Sequence, residues 1–222
     1  MDIWSLLYPP SCFACAKSGS WLCLDCSDKI VEISQQSCPG CYRLNKDGMR
    51  HTNCSGKSKI NQLVCALYYR DPVKKIIINA KYHYLHYFSH WVTPQLIEVL
   101  QKSDVDLTDA VIVPVPSDFG RFRQYGYHFA HILAWRLSRK LNIKYCDCLK
   151  KTKSTAPQVG LKRAQRLKQV SGLIKLKKQL PYKRVLLVDD VFTTGATMNE
   201  CARAIKSKYK NIKVIGVAVA RG

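Results

Sequence analysis

Thirteen residues, Val185 to Thr197, read VLLVDDVFTTGAT. The adjacent carboxylates Asp189 and Asp190 can bind hydroxyls or a metal. Thr193, Thr194 and Thr197 follow with hydroxyl donors, and Gly195 can take a positive φ angle. A helix starting here would add free N–H groups and a positive dipole end, the ordinary means of holding phosphate. A second chemistry lies upstream. Cys12-x-x-Cys15 and Cys23-x-x-Cys26 form a C-x2-C-x7-C-x2-C set, which can place four thiolates around one zinc ion. Doubled pairs so close in sequence favour a metal over a redox couple. Cys38-x-x-Cys41 is followed only by Cys54, and His51-x-x-Cys54 repeats the same spacing. A Cys3His site is therefore expected at Cys38, Cys41, His51 and Cys54. Two alternatives stay open from spacing alone: a second ribbon without metal, and an interleaved pairing of Cys12 and Cys15 with Cys38 and Cys41.

The elements that must position these residues are legible as patterns. Val185 to Val188 is a short apolar run suited to a strand buried on both faces. Met198, Cys201, Ala202 and Ile205 recur at i, i+3, i+4 and i+7, the stripe of a helix. The acidic pair and the hydroxyls thus sit between a strand and a helix N-terminus. Further strands are expected at LVCALYY, AVIVPV, IKYCDCL and VIGVAVA, with helices after Asp71-Pro72 and from about Gly126 to Leu141. Alternating strands and helices predict an α/β fold with a mostly parallel sheet, flanking helices, and the ligand at the strand C-terminal ends. A linker near Ser55 to Asn61 divides residues 1–58, a small zinc-ribbon domain, from residues 59–222. Phe13, Trp21 and Leu24 would pad the first metal site. A P-loop is excluded, because His51 stands where the first glycine before Gly56-Lys57-Ser58 would have to be.

The chain has 222 residues and a formal net charge of +21. Between Ser117 and Lys183 there are 17 Lys and Arg against only Asp118 and Asp147, which favours a polyanionic partner, nucleic acid or pyrophosphate. Lys150, Lys151 and Lys153 with Tyr125 and Tyr127 combine charge and stacking, as single-stranded DNA binding requires. The stretch KYHYLHYFSHW, Lys81 to Trp91, offers either a stacking platform or the buried face of a helix. No apolar run reaches the roughly 18–20 residues of a membrane span, and the N-terminus lacks the pattern of a secretory signal. A cytoplasmic protein without membrane insertion is expected. Cys65, Cys146, Cys148 and Cys201 lie in apolar surroundings and read as buried small hydrophobes.

The string at 185–197 resembles the phosphoribosyl pyrophosphate (PRPP) motif of type I phosphoribosyltransferases. The double zinc ribbon, PVPS, the aromatic-glycine helix start, the basic loop and the PRPP motif, in that order, are similar to the ComF family of ComFC- and GntX-like proteins over essentially the whole chain. The resemblance implies that Asp189 and Asp190 hold the ribose hydroxyls while Thr193, Thr194, Gly195, Ala196 and Thr197 cradle the 5′-phosphate. It further implies that Pro116 and Ser117 receive pyrophosphate with Mg2+, and that Lys81, Arg163 and Arg166 serve catalysis. Several purine-salvage members carry an acid where this chain has Thr193, which argues against salvage of purine bases. Where the family commonly has Arg-Gly-Phe-Asn-Gln, this chain has Tyr125-Gly126-Tyr127-His128-Phe129, which favours aromatic stacking there. The implied function is handling of incoming single-stranded DNA in natural transformation, with a phosphoribosyltransferase of unknown acceptor or a non-enzymatic PRPP-sensing adaptor as the alternatives. A partner from the competence machinery, such as a helicase, is implied too.

Overall fold

The computed structural model describes residues 10–79, 85–116, 128–152 and 172–222. Its centre is a five-stranded sheet of β1 (Gln62–Tyr68), β2 (Ala110–Pro114), β3 (Lys144–Tyr145), β6 (Arg184–Phe192) and β7 (Lys213–Arg221), ordered β1-β7-β6-β2-β3. Every pairing in it is parallel. β4 (Leu149–Lys151) and β5 (Ile174–Leu176) form a separate antiparallel pair. The helices are α1 (Leu24–Ser27), α2 (Val73–Asn79), α3 (Leu85–Lys102), α4 (Phe129–Leu141) and α5 (Ala196–Lys208).

The apolar runs become the central strands because both faces of the sheet are covered. Leu186, Val188, Ile215 and Val217 face one core, with Phe88, Val92 and Leu96 of α3 and Leu133 and Leu137 of α4. Val185, Leu187, Val214 and Ala218 face the other, where α5 lays Met198, Cys201, Ala202 and Ile205. The expected helical stripe is thus fully buried. Cys65, Cys148 and Cys201 are also buried, as expected, whereas Cys146 is only half-buried. Phe88 is buried and Trp91 packs on the same core, whereas Tyr87 and His90 of the same helix are exposed, so only one face of the described aromatic stretch turns inward. Among the described residues, no helix is long and apolar enough to cross a membrane.

Three elements differ from their sequence-based expectation. β6, expected over 185–190, runs from Arg184 to Phe192 because pairing with β7 carries it on, and Asp189 lies opposite Ala218 within the sheet. The run IKYCDCL divides into β3 and β4, because Cys148 N–H turns back to the Cys146 carbonyl at 3.1 Å. Residues 55–61 are not a loose linker. Lys57 and Ser58 N–H donate to the Cys54 carbonyl, and Asn61 N–H donates to the Val214 carbonyl at 2.7 Å.

The N-terminal segment covers the outer edge of β1. Ile33 N–H donates to Ala66 O at 2.8 Å, Tyr68 N–H to Val31 O at 3.1 Å and Leu63 N–H to Gly48 O at 2.9 Å. Between them the buried Gln36 side chain acts as a substitute peptide group. Its Nε2 donates to the Cys65 carbonyl at 3.0 Å, and its Oε1 accepts from Cys65 N–H at 2.9 Å. An edge strand's unpaired groups are thereby satisfied within the chain.

Candidate functional sites

At the C-terminal end of β6 the chain leaves the sheet through Thr193, Thr194 and Gly195 and enters α5 at Ala196. Gly195 is the residue before the first helical one and has φ 64°, a left-handed conformation. A Cβ there would lie 2.4 Å from the Phe192 ring, so only glycine fits both the backbone angle and the space. Gly195, at the N-cap, has no side chain to cap the first turn of α5, whose N–H groups and dipole point toward the loop. A pocket of about 50 Å³ opens here, lined by Asp189, Thr193, Thr194, Gly195, Ala196 and Thr197 among others. The structure therefore brings the expected hydroxyls, the glycine and one of the two carboxylates together.

Asp190 is half-buried beside Asp189 but does not line this pocket. Asp189 accepts from Asp190 N–H at 2.9 Å and Asp190 from Val191 N–H at 2.7 Å. Pro116 is buried just beyond β2. Val115 N–H donates to the Val188 carbonyl at 2.9 Å, so the chain at Pro116 departs next to the acidic pair. Ser117, Lys81, Arg163, Arg166, Tyr125, Tyr127 and Lys153 lie outside the described residues. Lys150 is exposed and Lys151 half-exposed on β4.

The cysteines collect into two four-donor clusters, Cys12, Cys15, Cys23, Cys26 and Cys38, Cys41, His51, Cys54. Pairing follows sequence order, and the interleaved alternative is not adopted. In each cluster the ligand atoms all lie within 4.8 Å of one another. Cys15 Sγ is 3.6 Å from Cys23 Sγ, and Cys41 Sγ is 3.3 Å from His51 Nδ1. A zinc ion at about 2.3 Å from each sulfur puts tetrahedral neighbours roughly 3.8 Å apart, so both donor sets fit that ion. Burial pushes the Cys38 thiol up, but the backbone N–H groups of His51, Cys41 and Gly40 outweigh it and hold the group at about 7. Cys12 is held at about 6 in the same way, burial being overcome by N–H groups that include those of Cys23 and Ala14. Thiolate, the form a metal needs, is favoured at both positions.

The two clusters have different surroundings. Phe13 and Trp21 stack at 5.6 Å, and Trp21 lies on Tyr87 at 4.2 Å, seating the first cluster on α3. Leu24, expected in that pad, is 80% exposed and takes no part. The second cluster adjoins the loop at 193–197: Tyr42 Oη donates to the Thr194 carbonyl at 2.9 Å. Asn199 Oδ1, in the first turn of α5, accepts from Lys59 N–H at 2.6 Å. Sequence reasoning missed Gln36, Tyr42 and Asn199. It also missed Glu200, which is buried and accepts from Gly172 N–H at 2.6 Å and from Arg203. Apart from Arg203, three residues from Glu200, the partners are remote in sequence, so no local pattern marks these residues.

Comparison with known proteins places these features in a family context. A model of the phosphoribosyl transferase domain matches residues 125–221. Competence protein F of Haemophilus influenzae is 28% identical over 225 residues, covering 89% of this chain and 96% of its own length. Competence protein ComFC of Streptococcus pneumoniae is 26% identical over 210 residues, covering 89% and 87%. The DNA utilization protein YhgH of Escherichia coli is 25% identical over 211 residues, covering 90% and 92%.

Proposed function

Because the chain belongs to the ComF family of phosphoribosyltransferase-domain proteins, we propose that its pocket binds PRPP with Mg2+. We further propose that it serves natural transformation by acting in the cytoplasm on incoming single-stranded DNA. The observation that carries the first part is the convergence of Thr193, Thr194, Gly195, Thr197 and Asp189 on one pocket at a helix N-terminus. Donors of this kind suit a phosphate monoester, and the helix dipole adds to them. The carboxylates of Asp189 and Asp190 are hard oxygen donors suited to ribose hydroxyls and to the surroundings of Mg2+. When bound, Mg2+ neutralises charge on the pyrophosphate. The chain's own part is to orient the ribose through the two aspartates and anchor the 5′-phosphate in the loop. Pro116 and Ser117 would border the pyrophosphate. Arg163, Arg166 and Lys81 would supply cations where charge develops as the bond at C1′ breaks.

A second reading keeps the ligand and drops the reaction: a PRPP-sensing DNA-binding adaptor. Thr193 favours it, since the loop offers no carboxylate at the position where salvage enzymes have one. The DNA part of the proposal is supported by the names of the relatives and by the basic segment 117–183. Calorimetric titration with PRPP and Mg2+ tests the shared premise. Saturable heat is expected, and none at millimolar ligand would overturn it. Pyrophosphate release with and without single-stranded DNA then separates enzyme from sensor.

A further inference from the structure

The first C-x-x-C knuckle of each cluster, at Cys12 and at Cys38, has the same backbone bonds. Cys12 N–H donates to the Lys17 carbonyl and Ala16 N–H to the Cys12 carbonyl; Cys38 N–H donates to Arg43 and Tyr42 N–H to Cys38, all between 2.9 and 3.0 Å. The residue after the second cysteine has a positive φ in each, 62° at Ala16 and 61° at Tyr42. A left-handed conformation costs a non-glycine residue roughly 1–2 kcal/mol, and the knuckle turn imposes it. The side chain placed there is what differs. Ala16 is a bare methyl group on an exposed residue, whereas Tyr42 crosses to the other end of the chain.

Two contacts of Tyr42 meet the loop of the proposed phosphate pocket. Its hydroxyl donates to the Thr194 carbonyl at 2.9 Å. Its ring meets Phe192 edge-on, with centroids 6.1 Å apart. Phe192 is the ring against which Gly195 packs. Tyr42 thus holds the loop's carbonyl directly and its supporting ring from the side. The geometry in turn fixes Tyr42 through the second cluster. Cys41, its neighbour, is one donor, and Gly40 packs so closely on Cys54 that a Cβ would lie 2.6 Å away. Beyond Cys54, the Lys59 N–H to Asn199 bond ties the same segment to the first turn of α5. The first cluster has its aromatic contacts with α3 instead.

We propose that Tyr42 is a positioning residue: its hydroxyl, anchored by the second metal cluster, sets the backbone at Thr194 and Gly195, and couples occupancy of that cluster to the loop's affinity for phosphate. This rests on the reading of the pocket as a PRPP site. A carbonyl held by Tyr42 turns the following peptide in one direction only, so the N–H groups after Gly195 are presented before ligand arrives. Without the hydroxyl the loop samples other peptide orientations, and binding must first select one of them.

The test uses the zinc-loaded full chain, with Tyr42→Phe, His51→Ala and, as control, Tyr87→Phe, whose ring stacks on Trp21. Hydrogen exchange is followed at amides 193–199 without ligand, and PRPP–Mg2+ affinity by calorimetry. Tyr42→Phe should speed exchange at these amides and weaken PRPP binding about 3- to 10-fold, the scale of one neutral hydrogen bond. It should retain wild-type zinc content. His51→Ala should reproduce the faster loop exchange, and Tyr87→Phe should change neither readout. Unchanged exchange in Tyr42→Phe overturns the brace. Faster exchange with unchanged affinity overturns its role in binding, and a wild-type loop in His51→Ala overturns the metal link. If wild-type protein binds no PRPP, the reading of the pocket fails, and exchange still decides whether the brace exists.

Discussion

Asp189 and Thr197 line one pocket from two elements, the end of β6 and the first turn of α5. A carboxylate and a hydroxyl so placed bond a ligand without supporting the core. Asp189→Asn combined with Thr197→Ala is therefore expected to weaken PRPP binding by at least about 1.5–3 kcal/mol, the range of a charge-assisted hydrogen bond. The thermal midpoint should change little. Calorimetry on the folded double variant checks this, and an unaltered affinity would remove the pocket from consideration. His51 is a second residue-scale case. Its Nδ1 lies beside Cys41 Sγ and completes a four-donor set. Elemental analysis should find two zinc ions per wild-type chain and about one in His51→Ala. One ion in untreated wild-type protein would show the second cluster to be metal-free.

β1 is an edge strand whose outer side is closed by a side chain as well as by backbone. Gln36 is 3% exposed and satisfies both the N–H and the carbonyl of Cys65. Truncation would leave two buried backbone groups without their partner, and each such loss costs about 1–3 kcal/mol. Gln36→Ala should lower unfolding free energy by roughly 2–4 kcal/mol in urea titrations. Gln36→Glu keeps an acceptor for Cys65 N–H but presents an ionised oxygen to the Cys65 carbonyl, so it should be no milder. A loss under 0.5 kcal/mol would mean that water replaces the amide. The prediction belongs to the element: Gln36 acts because residues 31–36 run along β1, and the strand's own run QLVCALY carries no sign of that neighbour.

At the scale of the molecule the dominant property is charge, +21 over 222 residues. If the basic segment tracks a polynucleotide backbone, single-stranded DNA affinity should fall with salt at about −0.7 per neutralised phosphate on a log–log plot. Lys150 is exposed on β4, away from the lining of the proposed PRPP pocket. Lys150→Ala should reduce that slope by roughly 0.7, with PRPP binding unchanged. A salt-independent affinity would assign the positive charge to another partner.

What was legible in the sequence was whatever short-range backbone geometry controls. A buried strand needs an apolar run, a helix needs its stripe, and a knuckle needs two cysteines three apart. Those patterns marked the mostly parallel α/β fold and the seven cysteines and His51 that meet in two four-donor clusters. Spacing alone could not say which pairs share an ion, because thiolates from successive knuckles meet only after the chain has packed. Nor could it show that β6 continues past the acidic pair to Phe192; that extension is imposed by β7 alongside. Tyr42 and Thr194 are separated by 152 positions, Ser58 and Asn199 by 141 and Gln36 and Cys65 by 29. Such contacts arise when a whole segment docks against a sheet edge, and a single tyrosine or glutamine has no local pattern to announce it. The residue types that do chemistry were determined by the sequence itself, and what holds them in place was decided by tertiary packing.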